Sequence, residues 1–313
     1  MLPVCKLHQE DIIIGMKSRS PILFAILLIL ISMTSTTCGP QDPSAPNNQT
    51  TIDSIENKGS DTIVNLALAW AETYQTVNPD LRISVTGGGS GTGIAALING
   101  TVDIANASRK IKEEEIGKAL ENGIDPVEIT IARDAIAVIV NINNPVDQLT
   151  IQQVSDIYSG KITNWIAVGG EDRPVVRLSR ETNSGTHVYF LENVLRLGEK
   201  ENKTFFSPET LLLPSSEGIT VEIRQNPNAI GYDGLGYVTD DVKVIAIAKT
   251  DNENDFILPS PETVNSDQYP IARDLYMYTA GEPSGSIAIY LEWILGSEAQ
   301  EIVAELGFVP ITP

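Results

Sequence analysis

Two rhythms of apolar and polar residues take turns along this chain. In residues 59–75, GSDTIVNLALAWAETYQ, apolar side chains at Ile63, Leu66, Leu68 and Trp70 follow a Ser/Asp start. That spacing predicts an amphipathic helix. LRISVTG (81–87) alternates every second residue and reads as a strand. GTGIAALING (91–100) reads as a short helix, VDIANAS (102–108) as a short strand, and EEEIGKALENG (113–123) as a helix with a Gly stop. IARDAIAVIVNI (131–142) is long, β-rich and apolar enough to be buried. LTIQQVSDIYSG (149–160) is a helix with Thr150 as its N-cap. RPVVRLSR (173–180) is a strand and GTHVYFLENVL (185–195) a helix. NAIGYDGLGYV (228–238), VKVIAIAK (242–249) and ARDLYMYTA (272–280) are strand-like, and residues 284–307 hold the last helices. Alternating strands and helices predict an α/β protein with largely parallel sheets.

The amino end follows neither rhythm. Residues 21–31, PILFAILLILI, form a short apolar run behind Lys17 and Arg19, then meet SMTSTTCGP. A basic start, a short apolar core and small residues describe a secretion signal, here residues 1–37, with Met16 a candidate true start. The run is short for a membrane span. Cys38 sits where a lipoprotein signal would place its acylated cysteine, although Ser35-Thr36-Thr37 precede it. The alternatives are a plain cleaved signal or an uncleaved anchor. Residues 38–55, rich in Pro, Asn, Gln, Ser and Thr, read as a flexible tether, with the fold beginning near Glu56.

Composition narrows the classes. The chain has 313 residues, 42% of them apolar, enough for one large or two medium domains. Its formal charge of −20 argues against a nucleic-acid partner. Cys5 and Cys38 are its two cysteines, so the exported body carries no disulfide and relies on its core.

Ser-Gly-Thr occurs twice, as Ser90-Gly91-Thr92 and Ser184-Gly185-Thr186, each after a strand and at the start of a helix. Gly59-Ser60-Asp61-Thr62 is a third junction of this kind. A helix start presents unpaired N–H groups and a partial positive charge. Gly admits a ligand close to the backbone, and Ser and Thr add hydroxyls. Such a junction can cradle an oxyanion. Arg180, four residues before Ser184, can supply a fixed cation. Plain helix capping explains any one junction alone. No Walker lysine follows the glycines, GGGSGTG lacks GxGxxG spacing, and there is no GxSxG elbow. No His/Cys/carboxylate cluster has metal-ligand spacing. His187 is the one histidine of the exported body, and its plain reading is a partly exposed helix residue.

Five stretches, GSDT…AWAE, GGGSGTGIAALINGTVDIANASR, LTIQQVSDIYSGKITNW, SRETNSGTHVYF and AIGYDGLGY, resemble the phosphate-binding proteins of bacterial and archaeal phosphate ABC importers. The similarity runs in order from about Lys58 to Thr279. It implies a two-lobed periplasmic-binding-protein fold of type II, with two hinge segments and the ligand in the cleft between lobes. It also implies a receptor rather than an enzyme, with no cofactor, that takes inorganic phosphate to the transmembrane subunits of a permease. The protein would then be a monomer, exported and held on the outer face of the cytoplasmic membrane through Cys38.

By position, the resemblance puts Asp61, Thr62, Ser90, Arg180, Ser184, Gly185 and Thr186 at the ligand, with Ser60 beside them. The hinges are expected near 134–141 and 268–279. Lobe I is then 56–140 with 268–313, and lobe II is 141–267. One departure stands out. Some members carry an Asp after the Ala-Ser of the second motif, where it accepts the proton of hydrogen phosphate; this chain has Arg109. A cation cannot accept. Asp61 is the candidate replacement. Arg109 can bind the anion, pair with Asp61, or form a surface salt bridge. A binding protein for sulfate, molybdate or tungstate and a secreted phosphatase are the alternative functions.

Overall fold

The computed structural model describes residues 53–250 and 255–311; the signal, Cys38 and most of the tether lie outside them. In chain order the elements are β1 (Asp53–Gly59), α1 (Asp61–Val77), β2 (Leu81–Thr86), α2 (Ser90–Ile98), β3 (Ile104–Ala107), α3 (Glu113–Glu121), β4 (Val127–Asn141), β5 (Gln148–Thr150) and α4 (Ile151–Tyr158). They continue with β6 (Val176–Arg180), α5 (Gly185–Phe190), β7 (Leu211–Leu213), α6 (Ser216–Gln225), β8 (Ala229–Gly234), β9 (Val242–Val244) and β10 (Ala246–Ala248). α7 (Pro261–Asn265), β11 (Ala272–Thr279), α8 (Gly285–Ile294) and α9 (Ser297–Glu305) end the chain.

β4 organises the molecule. Its residues 127–135 pair antiparallel with β11, and residues 136–140 pair antiparallel with β8. β11 in turn pairs with β3, which leads through β1 to β2; β8 leads through β6 to β7. One 15-residue strand therefore serves two sheet halves, changing partner between Ala135 and Ile136. The second crossing lies alongside, where the Ile136 amide donates to the Ile271 carbonyl at 2.8 Å. Both changes fall inside the segments read as hinges. Away from β4 and β11 the pairs β1–β2, β1–β3, β6–β7 and β6–β8 are parallel, as strand–helix alternation predicts.

Each half has its own apolar core. Ile55, Leu66, Trp70, Leu275 and Phe308 anchor one. Val154, Tyr158, Trp165, Phe190 and Tyr232 anchor the other. The turn Leu235–Tyr237, after β8, packs its Tyr237 into the first core, which the sequence did not suggest.

Three expectations need correction. β1 begins at Asp53, so the tether ends before residue 55. DSIENKG is polar and shows no alternation, and it becomes a strand because β2 and β3 pair with it on both sides. The run 242–249 is two strands: Val242–Val244 joins β4 and Ala246–Ala248 joins β5. The helix 185–195 is α-helical only to Phe190 and continues as a π turn over Leu191–Leu195. Thr150 does cap α4, accepting from the Gln153 amide at 3.1 Å.

Candidate functional site

Local rules bring three helix starts together. Gly59 ends β1 at φ +147°, and a Cβ there would lie 2.1 Å from the Asn106 carbonyl oxygen. Only glycine lets β1 run this close to β3. The Ser60 amide then donates to that carbonyl at 2.9 Å, which fixes where α1 starts. Gly88 and Gly89, both at positive φ, turn the chain into α2, and the Gly89 amide donates to the Gly59 carbonyl at 2.9 Å. Ser90, fully buried, accepts from the Ser108 amide at 3.0 Å through its Oγ. α5 starts behind Ser184, whose Oγ accepts weakly from the His187 amide at 3.4 Å.

The starts of α1 and α5 come from opposite halves and touch. Thr62 Oγ1 and Thr186 Oγ1 are 2.8 Å apart and buried. A Cβ on Gly185 would lie 2.3 Å from Ser90 Oγ and 2.5 Å from Ser108 Oγ. The Gly91 amide donates to the Asn183 carbonyl at 3.0 Å, and Asn183 Nδ2 donates to the Gly88 carbonyl at 2.8 Å. The first amides of a helix have no intrahelical acceptor. Here the starts of α1, α2 and α5 lie against one another, with the hydroxyls of Thr62, Ser90, Ser108 and Thr186 between them.

Arg180, 1% exposed, meets the first residue of α1. Its Nη1 donates to Ser216 Oγ at 2.7 Å, and its Nη2 to Asp61 Oδ2 at 2.8 Å and the Pro214 carbonyl at 2.9 Å. Asp233, fully buried, is 3.8 Å from Nη1. Burial raises its pKa to about 6, against the lowering effects of Arg180, the Gly234 amide and Ser216. Asp61 Oδ1 accepts from the Gly88 amide at 2.8 Å.

Asp61 therefore pairs with Arg180, where a pairing with Arg109 was an expectation. Arg109 binds Glu115 with both Nη atoms, at 2.8 and 2.7 Å, a fork the helix register of α3 makes available. Burial would raise the Glu115 pKa, but the hydrogen bonds from Arg109 and the Lys112 amide more than offset it and the net shift is downward. The salt bridge expected of Arg109 does form, with Glu115, but the two side chains are only 7% and 17% exposed. Its Nε is buried without a partner.

A profile of the PBP superfamily domain matches residues 44–298. The chain belongs to the PBP superfamily. Within it, the phosphate-binding protein PstS of Pseudomonas aeruginosa is 32% identical over 86% of this chain and 88% of its own. That of Bacillus subtilis is 30% identical over 94% and 95%. A phosphate ABC transporter substrate-binding protein from Clostridium perfringens, solved with bound phosphate, is 34% identical, with a TM-score of 0.74 over 83% of this chain and 100% of that one. An ABC-type phosphate transport receptor from Vibrio cholerae reaches 28% and 0.66 over 82% and 99%. The two sheet halves sharing β4 are thus the two lobes of this fold.

His187 differs from its expected place. It is buried, not partly exposed, because α5 turns it inward onto Phe206. Its Nδ1 meets Ser179 Oγ at 3.0 Å, so the ring addresses Ser179 and not Ser184. Burial pushes its pKa down to about 4 despite the Arg180 backbone contact. Among the described residues no His/Cys/carboxylate group could hold a metal ion.

Sequence reasoning missed Ser108, Asn183 and Arg273. Arg273 Nη1 donates to the Ser108 carbonyl at 3.0 Å. Ser108 and Asn183 lie inside the quoted motifs, but as ordinary polar residues they carried no signal of their own. Arg273 and Arg109 also line a cavity of about 700 Å³ beside the cradle, with Tyr189 and Tyr276.

Proposed function

We propose that this protein captures inorganic phosphate outside the cytoplasmic membrane and delivers it to an ABC importer. The carrying observation is the meeting of the α1 and α5 starts at Thr62 and Thr186, residues 124 positions apart, next to Asp61, which holds the guanidinium of Arg180. The named relatives support phosphate as the cargo. The proposed contacts are the hydroxyls of Ser60, Thr62, Ser90, Ser184 and Thr186 and the backbone amides of Gly185 and Thr186, with Arg180 as the cation. Asp61 accepts the proton of hydrogen phosphate, and Arg109, held on Glu115, is a further proposed contact. An overall charge of −20 does not oppose this, since surface charge is screened beyond roughly 8–10 Å while the donors act at contact.

The proposal extends to organisation. Lobe I comprises 56–140 and 268–313 and lobe II 141–267, in line with the partner change within β4. The receptor acts as a monomer, anchored by a lipid on Cys38. Calorimetry with phosphate, sulfate, molybdate and tungstate tests the cargo. One saturable phosphate site, tighter than the others, is expected; tighter binding of another oxyanion overturns it, and phosphate release from an ester would revive the phosphatase. Cys38→Ser is expected to free the protein from membranes. A mature form starting elsewhere without lipid, seen by mass spectrometry, refutes the anchor.

A further inference from the structure

The tetrapeptide Ile-Ala-Arg-Asp occurs twice, at 131–134 and at 271–274. One copy lies in β4 just before it changes partner; the other opens β11. The two strands are antiparallel, in a register that sets Arg273 opposite Asp134 and Asp274 opposite Arg133. Each copy thus offers its Arg to the other's Asp. Successive side chains of a strand point to opposite faces, so one reciprocal pair faces inward and the other outward.

The two pairs differ in what they hold. Outside, Arg133 Nε is 3.6 Å from Asp274 Oδ1, with side chains 27% and 44% exposed. Such a pair contributes little. Inside, Arg273 donates to Asp134 Oδ2 from Nη2 at 2.7 Å and from Nε at 3.1 Å. Asp134 is fully buried and also accepts from the Leu235 amide at 3.1 Å. The guanidinium then reaches past the hinge. Nη1 donates to the Ser108 carbonyl at 3.0 Å, and Nη2 lies 3.5 Å from Thr62 Oγ1, a long contact. Ser108 donates its amide to Ser90 Oγ, and Thr62 touches Thr186.

We infer that Arg273 is a positioning residue that couples the hinge strands to the anion cradle. The rigid fork places Nε and Nη2 on Asp134 and leaves Nη1 for Ser108, a spread that a single point-like ammonium does not match. Bending at the β4–β11 crossing moves Asp134, hence Arg273, hence the Ser108 and Thr62 walls of the cradle. Closure and cradle geometry are therefore one event. The inference rests on the proposed reading of the cradle as the phosphate site.

Arg273→Lys tests it. Lysine keeps the charge beside Asp134 but cannot also hold Ser108. Phosphate Kd should rise roughly tenfold, the size of one charge-assisted hydrogen bond, with the increase in koff by stopped-flow tryptophan fluorescence. Arg133→Lys, on the outer face of the same strand pair, should leave Kd and koff unchanged. A merely structural Arg273 would lower the unfolding midpoint and leave koff alone. In the ligand-free protein, hydrogen exchange at the Ser108 amide should quicken in Arg273→Lys and not in Arg133→Lys. Wild-type koff with unchanged exchange at Ser108 overturns the coupling. Failure of the wild type to bind phosphate would instead sink the cargo assignment, and the exchange measurement would still decide the coupling.

Discussion

Thr62 Oγ1 and Thr186 Oγ1 lie 2.8 Å apart in a place closed to solvent. Each hydroxyl belongs to the first turn of a helix, and the two helices follow strands on opposite sides of β4 in the sheet. The contact therefore joins the β1–β3 half of the molecule to the β6–β8 half. Its neighbours confirm the pattern: Asp61 with Arg180, and Gly91 with Asn183, also join α1 or α2 to the segment 180–186.

Gly185 is the tightest point of that junction. Its φ is not positive, so alanine suits its own backbone. The obstacle is across the cleft, where a Cβ would meet Ser90 Oγ at 2.3 Å. Gly185→Ala should spare folding and oppose closure. Overpacking of this kind costs about 1–3 kcal/mol, so phosphate affinity should fall roughly ten- to hundredfold. Calorimetry and a denaturation midpoint, measured together, check it; a loss of stability with affinity intact would refute it.

Arg180→Ala should weaken phosphate binding by at least ~2 kcal/mol, because a buried charged partner is lost. The structure adds a second consequence. Asp233 and Asp61 both face this guanidinium, and Asp233 is fully buried. Without the cation its carboxylate is left uncompensated, so stability near neutral pH should drop too. Arg180→Ala combined with Asp233→Asn should recover part of the stability and none of the affinity. Recovery of affinity would show that Arg180 serves Asp233 alone.

The same aspartate predicts a pH effect. Burial raises the folded pKa of Asp233 from 3.8 to about 6, so between these values the folded state holds the extra proton. Stability then falls as pH rises through that window, and the cost of charging Asp233 is fully present above it. The difference in unfolding free energy between wild type and Asp233→Asn should therefore vary between pH 4 and 6 and flatten above. Denaturant titrations across that range check this; a difference independent of pH would place the Asp233 pKa near its ordinary value.

Much of this was legible because it is local. Strand–helix alternation and the Gly, Ser and Thr at 59–62, 89–92 and 184–186 announce themselves in a few residues, and those residues do form helix starts. What was not legible depends on partners far away in the chain. β1 is a strand because β2 and β3 flank it, not because DSIENKG alternates. Arg109 could have paired with any nearby acid; the position of Glu115 on α3 decided it. Arg273 sits 211 residues from Thr62, and only the β4–β11 register brings it to the cradle.

Asp61 raises the last question, since both of its oxygens already hold donors. Oδ1 takes the Gly88 amide and Oδ2 takes Arg180, each at 2.8 Å. A carboxylate offers about four lone-pair sites, so it can still accept the proton of hydrogen phosphate. Sulfate has no such proton, and its oxygens would face the carboxylate as acceptor against acceptor. Asp61→Asn keeps one acceptor oxygen and turns the other position into a donor. That donor opposes either the exposed Gly88 N–H, at little cost, or the buried Arg180 Nη2, where an unsatisfied buried group costs about 1–3 kcal/mol. Phosphate affinity should therefore fall roughly ten- to hundredfold. The preference over sulfate should shrink as well, because an amide can donate to either anion. These two effects separate the two roles of Asp61. If it only holds Arg180 and the Gly88 loop, both anions weaken by the same factor and their ratio is unchanged. If it reads the ligand's proton, phosphate loses more than sulfate. Calorimetric titration of wild type and Asp61→Asn with both anions near neutral pH measures that ratio, and a constant ratio defeats the acceptor role while leaving the clamp on Arg180 in place.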